Sequence, residues 1–214
     1  GGEIVLHFKA DKLSSTIDNV HYLYYDFEAS DNIAYVGLTG SAIAETVWDD
    51  NYLGVWHMSQ DPAGSAPQLT DSTGNSRSGT SQGTMLAGDL VNGTPGKAID
   101  FDGSNDYFTI PNLPTDNYPD GYTIEATFKL NSATATGVIF SQGQEFHTQD
   151  MFDLRYEQNK VILGMRGPVY NVWDTVEHSF IANTTDYYHV AGEYDPSSTE
   201  LKIRLDGVAF DTTS

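Results

Sequence analysis

Residues Lys97 to Leu130 read KAIDFDGSNDYFTIPNLPTDNYPDGYTIEATFKL, and this stretch decides the fold. It predicts a strand, a tight acidic turn, a second strand, a polar loop and a third strand. Gly103 and Gly121 mark the turns, because glycine accepts positive φ without steric cost. In the last segment Ile124, Ala126, Phe128 and Leu130 point one way, and Thr123, Glu125, Thr127 and Lys129 the other. A period of two marks a strand with one buried and one wet face.

The same grammar extends outward. Short runs rich in Tyr, Phe, Thr and Val alternate with Gly, Asn, Asp and Ser, which argues for many strands and almost no helix. Downstream, GVIFSQG reads as a strand and turn. MFDLRYEQNKVILGMRG reads as a hairpin turning at Glu157, Gln158 and Asn159. YYHVAGEYD and ELKIRLDGVAF follow, with Leu201, Ile203 and Leu205 facing inward and Lys202 and Arg204 outward. Upstream, the alternation in residues 3–9 (EIVLHFK) and in 20–27 (VHYLYYDF) predicts two more strands, and residues 28–46 read as a linker. The stretch 59–96, poor in apolar anchors, reads as loops with short edge strands.

Composition narrows the function. The 214 residues carry 10 Lys and Arg against 30 Asp and Glu, a net charge of −20. Such a surface repels phosphate backbones and anionic lipid, so nucleic acid and membrane insertion are excluded as expectations. It suits solubility in salt, or a supply of carboxylates for calcium. With no cysteine, zinc–thiolate sites, disulfides and thiol catalysis are ruled out. No signal peptide or transmembrane run is visible in the sequence.

Four motifs in order carry a family resemblance: VWHMSQ at 55–60, DSTGNSRSGT at 71–80, AIDFDGSNDYFTIP with YTIEATFKL, and YYHVAGEYDPSSTELKIRLDGV at 187–208. Together they resemble the laminin-G-like, concanavalin A-like lectin domains of bacterial, archaeal and phage surface proteins. The central pair is similar to that family's central hairpin region. The resemblance implies an all-β jelly-roll sandwich over residues 48–214. Residues 1–47, with Val47 to Met58 leading onward, resemble the closing strands of an uncharacterised surface β domain that often precedes such lectins. The family's sandwich normally continues with more strands, so the resemblance also implies a fragment of a longer chain.

Resemblance further implies recognition of a glycan or surface glycoprotein, outside the cell or on a virion, beside other domains or subunits of one assembly. It places Asp71, Asn75, Asp100, Asp102, Asn105 and Asp106 on two loops near one rim. Calcium takes six to eight oxygens from such acidic loops, with Asp71, Asn75, Asp102 and Asp106 as the ligand set. The same residues serve equally as Asx turns satisfying their own backbone. For a sugar, an aromatic face with flanking polar groups is needed. The loop GPVYNVWDTVEH offers Tyr170, Asn171, Trp173 and Asp174, and the loop at 115–122 adds Tyr118. Trp173 can equally be a lid over the core.

Catalysis is not expected. Retaining glycosidases need two carboxyls about 5 Å apart, in the best-known β-sandwich glucanases on a Glu-x-Asp-x-x-Glu strand. That run is missing here, and Glu125 and Glu193 stand alone. No histidine lies in a nucleophile turn, and His189 reads as a structural core or edge residue. The rival to a recognition module is a spacer or decoration domain in a surface filament or phage tail, with no sugar ligand.

Overall fold

The computed structural model describes residues 5–10, 13–22, 30, 32, 34–111, 113–114, 120–132, 134–143, 152–166 and 173–212, with backbone alone at 166, 173 and 209–212. The chain forms two compact units, Gly1–Leu113 and Pro114–Ser214. Among the described residues no helix is long and apolar enough to cross a membrane.

The first unit is built mostly of loops pinned by short pairings. Among its described residues the α-helix α1 (Ala42–Glu45) starts where Ser41 Oγ accepts from the Ala44 amide at 3.3 Å. Strand β1 (Thr80–Gln82) pairs antiparallel with β4 (Tyr107–Thr109), and β2 (Leu90–Asn92) pairs with β3 (Lys97–Ile99). The two strands flanking the Gly103 turn therefore pair elsewhere and not with each other. This corrects the expectation of a central hairpin. Gly103 does adopt φ +73°.

Strands predicted near the start of the chain do not form over described residues 5–10 and 13–22. Leu6 and Phe8 stand 52% and 62% exposed, so the alternation there has no second layer to bury against. What ties this segment down is aromatic. The His7 ring stacks on His57 with centroids 4.2 Å apart, and Trp48 lies against both.

The second unit is a sandwich of two antiparallel four-stranded sheets. One has the order β12 (Val208–Thr212), β11 (Glu200–Leu205), β10 (Tyr188–Asp195), β5 (Tyr122–Phe128). The other runs β6 (Gly137–Gln142), β7 (Phe152–Glu157), β8 (Lys160–Arg166), β9 (Trp173–Ser179). Alternation in β5 and β11 matches the sequence reading, with Leu201, Ile203 and Leu205 buried. These side chains meet Leu154, Tyr156, Val161, Leu163 and Val176 of the facing sheet in one core.

One glycine lets the layers close, and another lets two paired strands approach. A Cβ at Gly192 would lie 2.8 Å from the Leu163 side chain of the facing sheet. One at Gly121 (φ +83°) would lie 2.4 Å from the Tyr194 carbonyl oxygen. The β7–β8 hairpin turns on Gln158 and Asn159, at φ 51° and 60°. Two successive left-handed residues fit the right-handed twist of the strands they join.

Candidate functional site

Asp71 is the hub of the first acidic loop. Its carboxylate, 3% exposed, accepts from the amides of Val55 (3.1 Å), Thr73 (2.9 Å) and Arg77 (2.8 Å), and from the Thr73 hydroxyl (3.0 Å). Asn75 turns its amide onto the Tyr52 carbonyl at 2.8 Å and onto the Thr73 hydroxyl. In the second loop Asp102 Oδ1 accepts from the amides of Ser104 (2.7 Å) and Asn105 (3.1 Å), an Asx turn. Those amides hold its pKa below the usual carboxylate value, Ser104 most strongly. Asp106 accepts from Thr84 through one oxygen and from the Asp102 amide through the other.

Of the four expected calcium ligands, Asp71 and Asn75 are linked through the Thr73 hydroxyl, and Asp106 accepts directly from the Asp102 amide. The bonded oxygens of Asp71, Asp102 and Asp106 face N–H and O–H donors, whose positive ends repel a cation. Among the described residues no three His, Asp or Glu side chains converge as a metal site would require. These bonded oxygens fix turns.

Of the expected sugar ligands, Tyr118, Tyr170 and Asn171 lie outside the described residues. Trp173 and Asp174 belong to strand β9 and not to a loop, because pairing with β8 continues to Met165↔Asp174 and Arg166↔Trp173. Asp174 is exposed. His189 is neither a core nor an edge residue. Its side chain lies 45% exposed on the outer face of β10, Nε2 3.6 Å from Glu125.

A different site emerges on the outer face of the β6–β9 sheet. Because Leu154 and Tyr156 of β7 point into the core, Asp153, Arg155 and Glu157 point out. By register Arg155 sits beside Ile162, which sits beside Glu177, while Glu157 sits beside Lys160. An open, shallow depression with a cavity volume of about 130 Å³ is lined by Arg155, Glu157, Gln158, Lys160, Ile162 and Glu177. That is smaller than enclosed small-ligand sites, about 300–1,000 Å³. Ile162 lies at its floor and is 5% exposed, so the lining is almost wholly polar.

The charges are interlocked. Arg155 Nη1 donates to Asp153 Oδ2, and its Nε to Glu157 Oε2 at 3.2 Å. Lys160 Nζ pairs with Glu177 Oε2 across the strands. Burial acts to lower the Arg155 pKa, but the hydrogen bonds and charges of Asp153 and Glu157 outweigh it and hold the pKa above the usual value. Asp153 is only 8% exposed, and among the described residues its Oδ1 is buried with no hydrogen-bond partner. The sequence signal for this face was the period-two charge of FDLRYE, which the search for loop carboxylates and loop aromatics passed over.

Comparison with known proteins agrees with this architecture. The family model described as the concanavalin A-like lectin/glucanases superfamily matches residues 102–214, more than half of the chain. The chain belongs to that superfamily. A solved structure with similarity is the Ruminococcus gnavus IT-sialidase CBM40 bound to alpha2,3 sialyllactose, at 18% identity and a TM-score of 0.38. The match covers 44% of this chain and 53% of that one, so the chain spans about half the length of that relative. No curated protein matches the chain.

Proposed function

We propose that this member of the superfamily is a non-catalytic module that recognises a glycan or glycoprotein, displayed on a cell or virion surface. The observation that carries the reading is the outward depression of the β6–β9 sheet. It holds donors and acceptors in a fixed array on paired strands. Hydroxyl-rich ligands suit such an array, since each hydroxyl both donates and accepts.

The depression's carboxylates also speak for binding rather than hydrolysis. Glu157 is engaged by Arg155, and Glu177 by Lys160. A glycosidase instead needs one carboxyl presented to the glycosidic oxygen as a proton donor. This reading does not call on calcium, because Asp71, Asp102 and Asp106 each already accept from protein donors.

A glycan array probed with the full chain, with calcium and again with chelator, tests the proposal. Binding that survives chelation is expected. Silence from folded protein in both arms would overturn the recognition reading in favour of a spacer or decoration domain. Binding abolished by chelator would return calcium to the site.

A further inference from the structure

Taking the recognition reading as its premise, we infer that the β6–β9 depression selects an uncharged sugar over sialic acid, uronic acid or sulfated glycans. Anionic sugars are ordinarily held by an arginine or lysine whose charge is available to them. Here both cations are already committed. Arg155 bridges Asp153 and Glu157, and Lys160 is paired with Glu177, so three carboxylates surround two cations. The local balance is negative, and the chain as a whole carries −20.

An anionic ligand would have to pull Arg155 away from its carboxylates. Asp153 cannot tolerate that exchange. It is 8% exposed, its Oδ1 already lacks a partner among the described residues, and without Arg155 it would be a buried, uncompensated anion. Breaking such a pair is far costlier than leaving it intact. A neutral sugar makes no such demand. Glu157 and Glu177, with side chains 41% and 42% exposed, keep lone pairs for hydroxyl donors. The Gln158 amide can both donate and accept.

The test is calorimetric titration of the full chain with paired oligosaccharides, identical except for a terminal sialic or uronic acid. Glu157→Ala and Glu177→Ala serve as variants, both at part-exposed positions. The neutral partner is expected to bind at least about tenfold more tightly than the acidic one, with each variant weakening it by roughly tenfold, the worth of one charged hydrogen bond. Preferential binding of the acidic partner would overturn the inference while leaving glycan recognition standing. Neutral binding indifferent to both variants would overturn the assignment to this depression. Failure of both partners to bind the folded chain would overturn the recognition reading itself.

Discussion

At the scale of single residues, Asp71 shows how one carboxylate organises a loop through the donors around it. Four donors converge on it, three of them backbone amides from two segments otherwise lacking regular structure. Removing the acceptor leaves buried N–H groups with nothing to bond, which costs more than the bond itself contributed. Asp71→Ala is therefore expected to lower stability by roughly 2–4 kcal/mol. The Val55, Thr73 and Arg77 amides should then exchange with solvent more than about tenfold faster. Exchange rates equal to the parent protein's would mean the carboxylate is dispensable. The identity of Asp71 and Asp102 as special residues was legible in DSTGN and DGSND. Their task was not, because an Asx turn and a cation loop draw on the same residues. Only the direction of the surrounding N–H groups separates them.

Elements were legible where a second layer gives alternation its meaning. β5 and β11 follow their sequence pattern because one face of each packs on the opposite sheet. EIVLHFK alternates as well, yet its described residues form no strand, since pattern alone supplies no partner strand or facing sheet. Strand pairing was legible least. β3 and β4 flank one turn but find partners at β2 and β1, a choice made by distant residues. The depression escaped notice for a related reason: it is assembled from three strands, and only their register brings Lys160 to Glu177. The sandwich also relies on a position that carries no side chain. Gly192→Ala would push a methyl group to 2.8 Å from Leu163 at the core centre. We expect a loss of roughly 1–3 kcal/mol in denaturant unfolding, the usual range for overpacking a tight core. A companion Leu163→Ala change should recover part of that loss by making room. If Gly192→Ala unfolded like the parent, the layers would be looser than described.

At the scale of the whole molecule, an acidic, cysteine-free chain includes a two-sheet sandwich that presents interlocked charges on the outer face of its β6–β9 sheet. A net charge of −20 repels phosphate backbones and anionic lipid. Within the sandwich, interlocked ion pairs hold donors and acceptors in place beside Ile162, so that a ligand meets them already ordered. Superfamily membership gives the scaffold, while the site must be judged by its own geometry. The most direct measurement is amide chemical-shift mapping on the full chain, titrated with a neutral oligosaccharide that binds it. Our account predicts saturable shifts concentrated at Arg155, Glu157, Gln158, Lys160, Ile162 and Glu177. Shifts confined to the acidic loops around Asp71 and Asp102, or to the outer face of β5 and β10, would contradict it.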